Sequence, residues 1–89
     1  GGVDAKESLP SLEVEKSLLE EGINVVELFA MTDLCKTNSD ARRLINQGGA
    51  MVQDQKITDI KLTIDSSWVE EGELILRAGK KRYFRIVVS

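Results

Sequence analysis

The chain contains no histidine, which removes the commonest general acid or base and the usual imidazole-containing zinc sets. Cysteine occurs once, as Cys35, so no intrachain disulfide can form. With nothing nearby to activate a thiolate, Cys35 reads as a small buried hydrophobe in a reducing compartment, the cytoplasm. No Gly-rich phosphate loop and no activated Ser or Cys arrangement stands in for the missing histidine, so the sequence marks no catalytic residue, metal site or cofactor site. No apolar run approaches the roughly 18 to 20 residues that cross a bilayer, which predicts a soluble chain without membrane contact. The opening "GGVDAKESLP" lacks the basic and apolar regions of a signal peptide and reads as a flexible linker over residues 1–10. Repeats and low-complexity blocks are missing too.

What is present suits one small domain over residues 11–89, because a chain of 89 residues can bury a single core but hardly two. The net charge of −3 argues at first against a nucleic-acid partner, since phosphate binding draws on Lys and Arg. The distribution argues the other way. Residues 1–33 carry two basic and eight acidic side chains, whereas residues 34–89 carry ten basic and seven acidic ones.

The periodicity predicts an α+β domain, small helices on a mainly antiparallel sheet of short strands. Pro10 disfavours helix at Leu9, so "SLPSLEVE" reads as an extended entry. "EKSLLEEG" predicts a short helix with Leu18 and Leu19 as apolar contacts and Gly22 as its stop. "INVVELFAMTDL" predicts a core-facing helix capped by Asn24, with Glu27 at the capping-box position and Val25, Leu28 and Phe29 on one face. A further helix starts in "TNSDARRLINQGG", where Thr37 is the N-cap and Asp40 meets the positive end of the dipole. Ala41, Leu44 and Ile45 share its apolar edge, and Arg42, Arg43, Asn46 and Gln47 spread over the other side. Gly48 supplies a positive-φ stop and Gly49 a sharp turn into the hairpin "AMVQDQKI", with Met51 or Val52 inward and Asp54 in the turn. "LTI" at 62–64 is another short extended piece, Trp68 folds back over the sheet, and "ELILRAGKKRYFRIVV" forms the last hairpin. Within it Tyr83 and Phe84 alternate, one inward and one outward.

The residues that could hold an anion come from three elements: Lys36 before the Thr37 cap, Arg42, Arg43 and Gln47 on the helix, and Lys56 beside the first hairpin turn. Arg77, Lys80, Lys81, Arg82 and Arg85 form a basic run with no acidic residue between them. Two readings stand for each group. The Arg pair is either a solvated face with Asp40 and Arg43 paired at i,i+3 or a phosphate grip. The terminal run either guards a strand edge or continues the same positive track.

The ordered set "DLCKTNSDARRLINQGGAMVQDQKITD" followed by "LRAGKKRYFRIVV" resembles the alpha-L RNA-binding motif, the type first associated with small-subunit ribosomal protein S-four, over residues 23–88. More narrowly, "LPSLEVEK", "EEGINVVELF", "ARRLINQGG" and "GKKRYFRIVV" resemble the C-terminal appendage of bacterial or organellar tyrosyl-tRNA synthetases. The resemblance implies a module that holds tRNA(Tyr), through its long variable arm and anticodon-side backbone, for an upstream catalytic domain. ATP and tyrosine would belong to that domain, as would the homodimer contact, leaving the 89-residue fragment a monomer with no catalysis of its own. By the match, RNA-facing roles fall to Arg42, Arg43, Lys56, Lys80 and Lys81. Asn38 departs from a commonly basic position, and "QDQ" at 53–55 replaces the commoner "NG" turn. Two alternatives remain open: an alpha-L module of an rRNA-modifying or ribosome-associated protein, and a protein-interaction module using the acidic residues between 4 and 33.

Overall fold

The computed structural model describes residues 10–89, so the linker expected at residues 1–10 lies outside the described residues apart from Pro10. In chain order the elements are β1 (Ser11–Val14), α1 (Lys16–Glu21), β2 (Ile23–Asn24), α2 (Val25–Ala30), α3 (Asn38–Asn46), β3 (Ala50–Val52) and β4 (Gln55–Ile57). There follow β5 (Thr63–Ile64), a 3-10 turn (Ser66–Trp68), β6 (Glu73–Ala78) and β7 (Arg82–Val88). The α+β class is as the sequence predicts.

The main sheet runs β1-β7-β6-β3-β4 and is antiparallel except where β1 joins β7 in parallel, Ser11 opposite Arg85 and Val14 opposite Val88. The extended entry is thus a true edge strand. Alternation gives the sheet one covered face: Leu74, Leu76, Ala78, Phe84 and Ile86 are buried, while Ile75, Arg77, Tyr83 and Arg85 on the other face stay half-exposed. Phe84 is the inward aromatic and Tyr83 the outward one. Each fully buried Leu or Ile contributes about 1.5–3 kcal/mol relative to exposure, so the face shared with the helices dominates stability.

α2 lays Val25, Val26, Leu28 and Phe29 into that core, and α3 adds Ala41 and Ile45. Asn24 caps α2, but its Oδ1 accepts from the Val26 N–H at 2.9 Å, one position earlier than a capping box would use. Its Nδ2 donates to the Ile60 carbonyl at 2.9 Å, and the Val25 N–H donates to Leu62 at 2.9 Å, so the cap also pins the stretch before β5. The helix ends at Ala30, short of the whole apolar run. Thr32 Oγ1 donates to the Phe29 carbonyl at 2.7 Å and accepts from the Leu34 N–H at 3.2 Å, turning the chain out of helix.

β2 and β5 form a separate two-stranded ladder, Ile23 opposite Ile64. Gly22 stands at φ +90, and a Cβ there would lie 2.7 Å from Thr63 Cγ2, so glycine serves both the turn and the approach to β5. Trp68 is half-buried against the core, as expected, at the end of the 3-10 turn whose cap is Asp65.

Candidate nucleic-acid interface

α3 begins as the sequence predicts: Thr37 Oγ1 accepts from the Asp40 N–H at 3.1 Å, and the Asp40 carboxylate sits in the first turn. Ala41 and Ile45 are buried, Leu44 is half-buried, and Arg42, Arg43 and Gln47 are exposed. The two glycines then do different work. Gly48 adopts φ +76, while at Gly49 a Cβ would lie 2.9 Å from Leu44 Cδ1 and the leucine tip would have to shift. Lys56 reaches back over this corner, its Cε 2.9 Å from the place a Gly48 Cβ would occupy. The Gly79 N–H donates to the Gly49 carbonyl at 2.7 Å, joining the helix-to-hairpin corner to the β6–β7 turn.

The β3–β4 hairpin turns through Gln53 and Asp54, both at positive φ, 51 and 66. The "QDQ" departure therefore keeps the turn shape that Asn-Gly would give. Gln53 is held there by its own amide. Its Nε2 donates to the carbonyls of Trp68 and Glu73, each at 2.9 Å, and its Oε1 accepts from the Ile75 N–H at 3.1 Å.

Four of the sequence-predicted residues, Lys36, Arg43, Gln47 and Arg82, line one cleft of about 550 Å³ between the loop before α3, α3 itself and the β6–β7 turn. Three more, Lys56, Arg77 and Lys80, line a neighbouring depression of about 390 Å³ with Gly48, Gly49 and Met51. Gly79 belongs to both. Arg42 and Lys81 are exposed and line neither.

The cations differ in how tightly they are held. Arg42 Nη2 lies 3.3 Å from Ser39 Oγ, and among the described residues no ion pair joins Asp40 to Arg43. Arg82 Nη2 donates to the Asp33 carbonyl at 2.9 Å, tying the α2–α3 loop to β7. Arg77 turns back on its own hairpin: Nε donates to Gly79 O at 2.9 Å, Nη2 to Lys80 O at 3.2 Å, and Nη1 lies 3.8 Å from Met51 Sδ. Its guanidinium carbon stands 5.6 Å from the centre of the Tyr83 ring, within cation–π range. Arg85 is drawn away from the track altogether, 3.6 Å from Glu73, with Nε buried and without a hydrogen-bond partner among the described residues.

Burial pushes the Cys35 thiol above its ordinary value; Asp40 adds to the rise and Arg82 works against it. Cys35 is thus the small buried group the sequence suggests, and it forms part of the lining of the cleft. Sequence reasoning did not place Asp33 or Asp40 at the cleft, nor foresee its apolar lining of Leu34, Cys35, Leu44 and Ala78. Nothing local marks Asp33; only the fold brings it to Arg82. Among the described residues no group of Cys, Asp and Glu could hold a metal ion, and no helix is long and apolar enough to cross a membrane.

Comparison with known proteins gives the site its context. The family model described as "Tyrosine--tRNA ligase SYY-like C-terminal domain" matches residues 3–86. A tyrosine--tRNA ligase of Treponema pallidum is 50% identical over 90 residues, covering 100% of this chain and 22% of that protein. One from Treponema denticola is 47% identical over 85 residues, covering 94% of this chain and 21% of that protein. A third, from Desulfatibacillum aliphaticivorans, is 39% identical over 89 residues, 100% of this chain and 21% of that protein. The chain thus spans about a fifth of the length of these relatives. With the fold, the α3 corner and a match over nearly its whole length in agreement, the chain belongs to the SYY-like C-terminal domain family of tyrosine--tRNA ligases.

Proposed function

We propose that this domain is the tRNA-binding appendage of a tyrosine--tRNA ligase and holds tRNA(Tyr) by backbone and shape contacts for an upstream catalytic domain. In that reading residues 11–89 form the folded unit, and ATP and tyrosine are substrates of the catalytic part. The parent dimerises through that part, the isolated domain is a monomer, and the whole acts in the cytoplasm.

The observation that carries the proposal is the gathering of seven predicted contact residues around one corner. Lys36, Arg43, Gln47 and Arg82 line the cleft, and Lys56, Arg77 and Lys80 line the depression beside it. A chain of net charge −3 that nonetheless places its cations together is built for a polyanion. Exposed Arg42 and Arg43 offer charge-assisted, bidentate hydrogen bonds to phosphates, and Lys80, Lys81 and Arg82 extend the track toward the variable arm and anticodon-side backbone. Base reading in duplex regions is small, because the A-form major groove is too narrow for side chains.

Titration of labelled tRNA(Tyr) across a salt series tests this. About four phosphate contacts give a slope of log affinity against log salt of about −3 to −4. Absence of binding at low salt removes the proposal, and equal affinity for an rRNA fragment favours an rRNA-modifying or ribosome-associated parent instead.

A further inference from the structure

The larger cleft holds more than a phosphate requires. A backbone that crosses a surface needs cations and donors; it gains nothing from a recess floored by Leu34, Leu44 and Ala78. The recess, about 550 Å³, falls in the range of small-molecule sites, roughly 300–1,000 Å³. Its rim carries both signs. Lys36, Arg43 and Arg82 attract an anion, whereas the exposed Asp33 and Asp40 beside them weaken the pull on a bare phosphate. An occupant that suits all of these is part apolar and planar, part anionic, with a donor edge for a carboxylate.

From this we infer that the cleft receives one unpaired nucleotide of the bound RNA, its base against the Leu34–Leu44 floor and its phosphate at the Arg43 and Lys36 rim. The inference rests on the RNA-binding reading and adds a base-accepting subsite to it. Single-stranded or bulged positions are where proteins reach RNA bases, because those bases can leave the stack and present their faces and edges. Gln47, exposed at the end of α3, offers both an amide donor and a carbonyl acceptor to such an edge. It differs in this from Gln53, whose amide is occupied within the fold. Arg43 can supply a flat guanidinium face for stacking where the cleft has no aromatic ring. Arg82 keeps the cleft's wall in place by holding the Asp33 carbonyl.

The test uses the 89-residue chain and three RNA stems of equal length. One is fully paired, one carries a single unpaired adenosine, and one carries an abasic residue at the same place. The expected result is about tenfold tighter binding of the adenosine bulge than of the paired stem, a difference of about 1.4 kcal/mol. The abasic stem should lose that advantage, and Gln47→Ala, an exposed change, should reduce it to about threefold or less. A 2-aminopurine in the bulge should change fluorescence on binding by the native chain. Equal affinity for the three stems overturns the inference and leaves the RNA-binding reading intact. An abasic bulge that binds as well as adenosine also overturns it, because the gain then comes from a flexible backbone. Failure of every stem and of tRNA(Tyr) to bind at low salt removes the reading itself, and the inference with it.

Discussion

Arg77 Nε donates 2.9 Å to the carbonyl of Gly79, and this bond, with Nη2 to Lys80 O, makes the arginine a clasp on the turn that carries Lys80 and Lys81. Its charge is close to the proposed interface, but two of its donors are taken by carbonyls of the turn. Arg77→Ala should therefore cost more than one phosphate contact. Loss of a single contact would flatten the salt slope by about 0.9, whereas a released turn also loosens Lys80 and Lys81 and should flatten it by about 2. Arg77→Lys keeps the charge without the forked geometry and should not restore the native slope. A purely global loss of stability would lower the melting temperature and leave the slope of the folded fraction unchanged.

Arg42 and Arg43 stand at the other limit, exposed on a helix whose packing belongs to Ala41 and Ile45. Replacing both with Ala should leave stability within about 0.5 kcal/mol. The same variant should flatten the salt slope for tRNA(Tyr) by up to about 1.8, as two lost contacts require. Denaturant melts and binding titrations on the same preparation separate the two effects.

The local devices of this region were legible in the sequence. Thr37, Gly48 and the two hairpins were readable because a cap, a positive-φ stop and a turn are set by residues a few positions apart. The helix faces followed from periodicity. Other features had no local signal. The parallel pairing of β1 with β7 joins Ser11 to Arg85 across nearly the whole described chain, and the β2–β5 ladder joins two dipeptides too short to show alternation. For the same reason the basic run 77–85 read as one track, although the fold turns Arg77 onto its own hairpin and gives Arg85 to Glu73. Side-chain orientation in a strand is set by register, and register is a tertiary property.

Gly48 links that corner to stability and to binding. An L residue at φ +76 is strained by roughly 1–2 kcal/mol, and its Cβ would also push Lys56 Cε away from 2.9 Å. Gly48→Ala should lower unfolding free energy by about that amount and weaken tRNA(Tyr) binding as Lys56 is displaced, both read at one temperature. If Lys56 makes no contact, only the stability changes.

Gln53 should matter to stability without touching binding. Its side chain substitutes for backbone partners of Trp68, Glu73 and Ile75. Gln53→Ala removes these three hydrogen bonds from a half-buried place, although the Glu73 carbonyl keeps the Glu70 N–H at 3.1 Å, and should cost about 1–3 kcal/mol. Asp54, exposed at φ 66, should instead tolerate Gly, the residue that hairpin turns of this kind favour. Urea unfolding of the two variants checks the contrast, and an equal loss in both would show that the turn, not the amide, holds the strands.

Cys35 gives a pH dependence whose direction follows from its burial. The folded thiol titrates above its ordinary value of 9.0, first because burial disfavours the thiolate and then because Asp40 lies nearby. Unfolded chains lose the thiol proton first, so the stability tied to this group is intact below 9.0 and declines as pH rises toward the folded value. Urea unfolding from about pH 7 upward should show that decline in the native chain, and Cys35→Ala should show less of it. Ellman's reagent should react slowly with the folded protein and quickly in urea, because reactivity needs both exposure and thiolate. A fast reaction in the folded state would mean that the floor of the cleft opens, and the base-accepting recess above it would then have no fixed shape.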